Sequence, residues 1–162
     1  MRRGQFVLTL AIHACPKGLV SQVEALLASL SVASQWAQQD LIADNLSAEC
    51  SFKLNEDEAA ELASNLYALG PIYFEMNQRL GRTGVLFMGV PGLGVYRGEL
   101  NESGSIMLSE DRINQMVDNA AGNHREFMRL LRVSLGQSWD DIIEPFRGAK
   151  FSNNVVLLTK AG

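Results

Sequence analysis

The stretch AECSFKLNEDEAAELASNLYALGPIYFEM, residues 48–76, decides the fold of the 162-residue chain. Apolar and polar side chains alternate in its first seven residues, which predicts a strand with one buried face. Asn55 then precedes three acidic residues and stands three positions before Glu58, the spacing of a capping box at the start of a helix. A Gly-Pro pair at 70–71 predicts the end of that helix, and alternation returns in the last five residues. The stretch therefore predicts a strand, a helix and a strand in that order.

A similar pattern precedes this stretch. Alternating apolar residues over 6–12 predict a first strand that ends at His13. Apolar residues at spacings of one, three or four over 19–30 predict an amphipathic helix, and alternation over 32–38 predicts a further strand. Residues 5–78 therefore predict the order β-α-β-β-α-β, which is the ferredoxin-like split motif.

The second half of the chain is rich in glycine at its start and helical afterwards. Six of the 14 glycines lie within residues 81–98 and predict short strands joined by tight turns. Ser109 and Asn123 predict the starts of two helices, and Ser138 predicts a short helical turn that Pro145 ends. Ile113, Met116 and Val117 of the first helix are predicted to face inward. The second helix carries the apolar residues Phe127, Leu130, Leu131 and Leu135.

The fold class that these patterns predict is α/β, of the α+β type. Residues 1–80 form a ferredoxin-like βαββαβ half, and residues 81–162 form a β-hairpin and helical C-terminal extension. We expect the two parts to form one compact unit. A β-type run at 155–158 is predicted to pair with a free strand edge.

Composition and charge exclude several classes of protein. The chain has 18 acidic and 14 basic residues, a net charge of −4, with 47% hydrophobic and 20% charged residues. These values are typical of soluble globular proteins, and the acidic balance argues against a nucleic-acid partner. No apolar run approaches the roughly 18 residues of a membrane span, so we expect no membrane partner. Two cysteines without a framework spacing favour a reducing, cytoplasmic location.

The first fifteen residues permit two interpretations. The residues MRR at 1–3, an apolar stretch and Ala14-Cys15 imitate a lipoprotein signal, but the apolar stretch is short and Thr9 interrupts it. A first β-strand explains the same residues by regular alternation, and we favour the strand.

The densest group of candidate catalytic residues lies near the C-terminus. Asp140, Asp141 and Glu144 are three carboxylates within five residues, and Arg147 follows them. Crowded carboxylates shift one another's pKa values apart and can supply an acid/base pair or bind a divalent cation. The alternative is structural, because Ser138 followed by these aspartates is also the pattern of a helix N-terminus.

His13 and Cys15 form a second, weaker candidate. A thiol near a helix N-terminus can become a nucleophile with a histidine as its base, whereas free cysteines are more commonly buried core residues. These two residues, together with Cys50 and His124, lack the spacing of a structural zinc site. We therefore expect no metal and no cofactor.

Two further features permit a binding role and a structural one. The glycine-rich segment 89–94 suggests a phosphate loop, but it lacks the Gly-Lys-Ser/Thr ending and predicts tight turns more simply. Arg125, Arg129 and Arg132 share one helical face, which can bind an anion or an acidic partner or can simply be solvated.

The open face of the predicted sheet lacks the aromatic residues that stack RNA bases. Thr9 and Ala11 lie there on the first strand, and Glu49 and Ser51 lie there on the third. A carboxylate repels phosphate, so we expect no nucleic acid at this face. We expect residues 82–160 or a second subunit to cover it.

Three segments carry a resemblance to a known family. They are RG at 3–4 leading to HACP at 13–16, the residues 104–112 that end in EDR, and GQSWDDIIEPFR at 136–147. Together they resemble a family of short actinobacterial proteins of unknown function, and the Trp-Asp-x-x-x-Glu-Pro-Phe-Arg pattern is the most specific part. The resemblance implies a cytoplasmic protein without a known reaction, and it supplies no catalytic residues.

The sequence leads to one functional hypothesis and two alternatives. Because no catalytic constellation is complete, we expect a non-enzymatic binding or regulatory protein that self-associates through a sheet face as a homo-oligomer. The first alternative is a small enzyme with Asp140, Asp141 and Glu144 as acid/base groups in a cleft between the two halves and Arg147 binding an anionic group. The second is an enzyme that depends on Cys15.

Overall fold

A computed structural model describes residues 4–147 of the chain. Within these residues the structure contains one seven-stranded sheet with helices on both faces, which confirms the α+β class. The strands are β1 (Phe6–Pro16), β2 (Ala37–Gln38), β3 (Asn45–Leu54), β4 (Tyr73–Arg79), β5 (Gly84–Val90), β6 (Gly94–Leu100) and β7 (Ile106–Met107). The helices are α1 (Val20–Ala28), α2 (Glu56–Leu69), α3 (Glu110–Ala120), α4 (His124–Ser134) and α5 (137–147). The predicted strand at 155–158 lies outside the described residues.

The strands lie in the order β2-β3-β1-β4-β5-β6-β7, and every neighbouring pair is antiparallel. Over residues 6–79 the elements follow the chain order strand, helix, strand, strand, helix, strand. β4 pairs with β5 from Phe74 opposite Gly89 to Arg79 opposite Gly84. The two halves of the chain therefore contribute strands to the same sheet.

One face of the sheet packs under α1 and α2. Leu8, Leu10 and Ile12 of β1 point into this core because side chains alternate along a strand. The predicted capping box is present at the start of α2, where the Glu58 N–H donates to Asn55 at 2.8 Å and the Asn55 N–H donates to Glu58 at 3.1 Å. This reciprocal cap fixes where α2 begins.

The opposite face is covered over only part of its width. Met88, Val90 and Tyr96 form a second apolar cluster with Ile143 and Trp139 of α5. Within residues 4–147 the same face of β1, β3 and β4 is open to solvent and carries exposed side chains: Val7, Glu49, Ser51, Lys53 and Asn77. No described helix is both long and apolar enough to cross a bilayer.

β1 runs three residues beyond its predicted end at His13. The pairing of β1 shifts by one residue after Ile12 against both β3 and β4, so a β-bulge lies at His13. The bulge interrupts the alternation, and the residues from Ile12 to Cys15 are all buried. An alternating pattern cannot include four consecutive buried residues, so the strand was predicted to end too early, at His13.

Two further boundaries differ from prediction. The strand predicted at 32–38 contains only the two residues of β2, because Val32 and Trp36 pack against the core from an irregular segment that makes no ladder bonds. The turn predicted to begin at Ser138 and end at Pro145 is the longer helix α5. It begins at 137, where the Gly136 carbonyl accepts from the Asp140 N–H at 2.9 Å. It continues through the proline because the buried Ile143 and Phe146 hold it against the sheet.

The predicted inward face of α3 is corrected in part. Met116 is buried, but Ile113 and Val117 are exposed. The α4 residues Phe127 and Leu130 are only partly buried, as are the neighbouring Leu131 and Leu135. The reason is that these helices pack mainly on each other, and none of their described residues belongs to either apolar cluster of the sheet.

Candidate functional site

Three of the four predicted C-terminal site residues meet around Arg147 at the end of α5. The Arg147 guanidinium donates to Glu75 of β4 through Nε to Oε1 at 3.0 Å and through Nη2 to Oε2 at 2.5 Å. Its Nη1 donates to Asp140 at 2.6 Å and to Glu144 at 3.1 Å. This bidentate geometry is the one that guanidinium and carboxylate groups favour. We call these four residues, with His13, the Arg147 cluster.

His13 extends the Arg147 cluster into the bulge of β1. Its Nε2 lies 2.8 Å from Glu75 Oε1, and the ring packs 5.9 Å from the ring of Phe146. His13 is buried, and its Nδ1 has no hydrogen-bond partner within residues 4–147. An Nε2–H tautomer donates to Glu75 and leaves Nδ1 as an unpaired acceptor.

The Arg147 cluster is an ion-pair network centred on Arg147. Burial alone raises the pKa of Glu75, but the hydrogen bonds from His13 and Arg147 and the charge of Arg147 outweigh burial and lower that pKa to about 2. The pKa of Arg147 is raised, first by its hydrogen bonds to Glu75. Since a general acid or base works best with a pKa near the operating pH, a carboxylate held this strongly ionised does not transfer protons near neutral pH.

The remaining predicted residues lie elsewhere. Asp141 is exposed on the other side of α5 and accepts from Gln137 at 2.6 Å. Cys15 is buried in the core under α1 and α2, whereas His13 turns toward Glu75. Burial raises the pKa of the Cys15 thiol to about 11, which keeps it protonated and unreactive near neutral pH. The structure therefore separates Asp141 from the other carboxylates and Cys15 from its predicted base.

A groove lies beside the outer edge of β6, on the opposite side of α5 from the Arg147 cluster. β7 pairs only with Glu99 and Leu100, so among residues 4–147 Val95 and Arg97 have no strand partner on that side. Backbone groups of alternate residues in an antiparallel strand point to opposite sides. Because Glu99 bonds to β7, the N–H and C=O groups of Val95 and Arg97 point into the groove and not toward β5.

Side chains from β6, β7 and the three C-terminal helices line this β6 groove, a cavity of about 460 Å³. Its aromatic wall is fixed by two hydrogen bonds, from the Tyr96 hydroxyl to the Ser134 carbonyl at 2.8 Å and from Trp139 Nε1 to the Gly94 carbonyl at 3.1 Å. The two rings lie 5.3 Å apart. Arg112 reaches the groove from α3 and is exposed. The groove thus combines free strand backbone, an aromatic wall and a cation.

The arginine stripe of α4 and the glycine-rich segment 89–94 are the other two candidate features. The arginine stripe of α4 lines a shallow cavity of about 650 Å³, and Arg129 in it is paired with Glu126 at 2.6 Å. In the glycine-rich segment, Gly92 and Gly94 have φ values of +84° and +87°, which form the tight connection between β5 and β6. A Cβ at Gly89 would lie 2.1 Å from the Phe74 ring, so this glycine permits close packing.

Comparison with known families assigns the chain to one of them. A family model described as a protein of unknown function, DUF3145, matches residues 9–160. The chain belongs to the DUF3145 family. No curated protein and no solved structure gives a significant match to it. The matched residues of this DUF3145 protein include the whole Arg147 cluster and the whole β6 groove.

Two functional features of this DUF3145 protein were missed by sequence reasoning. Glu75 is a charge between the apolar residues Phe74 and Met76, and that position was the available signal of a partner. The β6 groove had no signal, because an unpaired edge depends on how short the next strand is. Among the described residues, no three His, Cys, Asp or Glu side chains are grouped to hold a metal ion.

Proposed function

We propose that this DUF3145 protein is a non-enzymatic binding or regulatory protein, and that its β6 groove binds an extended segment of a partner polypeptide. The observation that carries the proposal is the backbone of Val95 and Arg97 inside the groove, with which no strand of residues 4–147 pairs on that side. An extended peptide adds to such an edge as a further strand, with main-chain hydrogen bonds giving affinity and alternate side chains giving specificity.

The charge of the groove favours an acidic segment. Arg97 and Arg112 line it and outnumber its one carboxylate, Glu99. Neither arginine is in an ion pair within the described part of the chain. Trp139 and Tyr96 provide an apolar surface against which alternate side chains of a strand can pack.

The enzyme alternative has less support. Asp140, Glu144 and Glu75 all bind Arg147, and Asp141 lies apart from them. None of these carboxylates except the outlying Asp141 lines a cavity described above. Glu75, the carboxylate whose pKa is strongly lowered, pairs with Arg147 and His13, which supports a structural role for it.

Peptide binding can be tested with two synthetic hexapeptides and calorimetry. An acetylated, amidated peptide of alternating Val and Glu should bind, and the matched peptide of alternating Val and Lys should bind at least about tenfold more weakly, since a charge-assisted contact is worth about 1.5 to 3 kcal/mol. Arg97→Thr removes the charge but keeps the edge N–H, whereas Arg97→Pro removes both. We expect Arg97→Pro to weaken binding several-fold more than Arg97→Thr. Equal affinities of the two variants, or no binding of either peptide, would contradict the proposal.

The finer structural and cellular statements are also proposals. The order β2-β3-β1-β4 with antiparallel neighbours supports a ferredoxin-like first half. Two free cysteines, Cys15 and Cys50, support a reducing, cytoplasmic location. We further propose that the protein acts as a homo-oligomer.

A further inference from the structure

The hairpin formed by α3 and α4 contains many apolar side chains that the described chain leaves partly or fully accessible. On α3, Ile113 is 38% exposed and Val117 is 52% exposed. On α4, the one buried residue is Ser134, although five of the eleven residues are apolar. These are Phe127, Met128, Leu130, Leu131 and Val133. A helix this amphipathic normally buries its apolar stripe against another element.

The hairpin is joined to the sheet at one end. The Tyr96 hydroxyl donates to the Ser134 carbonyl at 2.8 Å, Arg112 donates to the Ser134 hydroxyl at 3.4 Å, and that hydroxyl donates to Met116 Sδ at 3.4 Å. All three bonds involve Ser134, the last residue of α4. The first joins the hairpin to β6, and the other two join α4 to α3. The residues of the hairpin belong to neither apolar cluster of the sheet, so within residues 4–147 the exposed side chains of Ile113 and Val117 remain accessible to another molecule.

The two helices carry opposite net charges, and most of their charged side chains make no ion pair within the described residues. α3 carries three acidic residues and one basic residue, a net charge of −2, and α4 carries three basic residues and one acidic residue, a net charge of +2. Within residues 4–147 most of these side chains make no ion pair. Those without one are Glu110, Asp111, Arg112, Asp118, Arg125 and Arg132. The acidic and basic helices therefore lie side by side around accessible apolar residues.

We propose that the α3–α4 hairpin is a homodimer interface, in which a second copy of this chain packs its own hairpin against the first across a two-fold axis. When that axis runs parallel to the helices, α3 of one copy faces α4 of the other twice, so both charge pairings are attractive. A foreign partner of either sign would complement one helix and be repelled by the other. This rests on the proposed self-association and places it on the hairpin and not on a sheet face.

The uncovered sheet face is the competing surface, and it is less suited to association. Val7 is its exposed large apolar residue, at 48%, and its neighbours are Glu49, Ser51, Lys53 and Asn77. A stable interface needs an apolar centre with a polar rim. The hairpin has an apolar centre with charged flanks, whereas the sheet face has polar residues throughout.

Two matched variants distinguish the surfaces. Light scattering of the full chain over a concentration series should give twice the 17.8 kDa monomer mass. Val117→Glu should raise the dimer dissociation constant at least about tenfold, while Val7→Glu, the same change at a similarly exposed valine, should leave it unchanged. Thermal unfolding of both variants at low concentration should match the wild type, because neither side chain is in the core.

A charge exchange provides a second test that does not alter apolar packing. Asp111→Arg/Asp118→Arg reverses the net charge of α3, and Arg125→Glu/Arg132→Glu reverses that of α4. Each double variant alone should be monomeric, because two like-charged helices would face each other. An equimolar mixture should form the heterodimer in native mass spectrometry, because every facing pair of helices is again opposite in charge.

Several outcomes would overturn the hairpin interface. One is a dimer that survives Val117→Glu but dissociates with Val7→Glu, which assigns association to the sheet face. Another is a mixture of the charge variants that remains monomeric while the wild type dimerises. A wild type that stays monomeric at the highest concentration removes both this interface and self-association. That result would not bear on peptide binding by the β6 groove, which the calorimetric titration tests separately.

Discussion

Replacing Glu75 with glutamine should destabilise the fold by about 2 to 3 kcal/mol at pH 7. A pKa of about 2 against an ordinary value of 4.5 corresponds to about 3 kcal/mol, since a tenfold change in an ionisation constant is worth about 1.4 kcal/mol. The side chain of Glu75 is 19% exposed and that of Arg147 is 31% exposed, so solvent screens part of this interaction. Glutamine keeps the shape but removes the charged acceptor of Arg147 Nε and Nη2, and only Asp140 and Glu144 then remain as ion-pair partners at Nη1.

The same residue gives the protein a defined acid sensitivity. The folded pKa of Glu75 is lowered, so between about pH 4.5 and pH 2 the unfolded state binds the proton more readily than the folded state. The stabilisation is therefore fully present above about pH 4.5 and is lost as the pH falls toward 2. Glu75→Gln should remove this component of the acid transition and leave the stability at pH 2 nearly unchanged.

Urea unfolding of the wild type and of Glu75→Gln between pH 2 and pH 7 measures both effects. Glu49→Gln is the matched control, because Glu49 lies opposite Ala11 on β3 as Glu75 does on β4, but is exposed. The control should change the free energy of unfolding by less than about 0.5 kcal/mol. The ion-pair account of the Arg147 cluster is wrong if Glu75→Gln lowers the free energy of unfolding by no more than this control does. It is also wrong if the free energy of unfolding of Glu75→Gln falls with pH between about 4.5 and 2 as steeply as that of the wild type.

Three other predictions concern packing and reactivity. Gly89→Ala should destabilise the fold by about 2 kcal/mol in chemical unfolding, because its Cβ would overlap the buried Phe74 ring, and Gly18→Ala, with open space around it, should not. Asn55→Ala should lower the free energy of unfolding by about 1 kcal/mol through loss of the α2 cap, and an effect near zero would contradict the observed capping box. Cys15, buried and with a pKa near 11, should react with a thiol-specific disulfide reagent at neutral pH only after unfolding, and rapid labelling of the native protein would restore the nucleophile hypothesis.

Short-range sequence patterns correctly predict the helix starts that depend on neighbouring residues. The start of α2 depends on Asn55 and Glu58, three positions apart, and the prediction is confirmed. The same holds for Ser109 and Asn123, whose side chains accept from the N–H groups of Arg112 and Glu126. In each case the cap and its partner lie within one helical turn.

The remaining features depend on contacts between distant parts of the chain. The bulge at His13 depends on the pairing of β1 with both β3 and β4. Arg147 contacts Glu75, which lies 72 positions earlier in the sequence. α5 continues through Pro145 because Ile143 and Phe146 are anchored on a sheet face that the sequence does not reveal. Apolar spacing predicts that α3 and α4 have an apolar face, but it cannot say whether that face meets the sheet or another molecule.

The most direct test of the proposed binding function is hydrogen exchange at the amides of β6. In the free protein the N–H groups of Val95 and Arg97 should exchange rapidly, and that of Tyr96, which points to β5, should exchange slowly. Saturation with the alternating Val–Glu hexapeptide should slow Val95 and Arg97 at least about tenfold and leave Tyr96 unchanged. Slow exchange of Val95 and Arg97 before any peptide is added, or unchanged exchange once a bound peptide saturates the protein, would contradict a free edge on β6 that binds an extended partner.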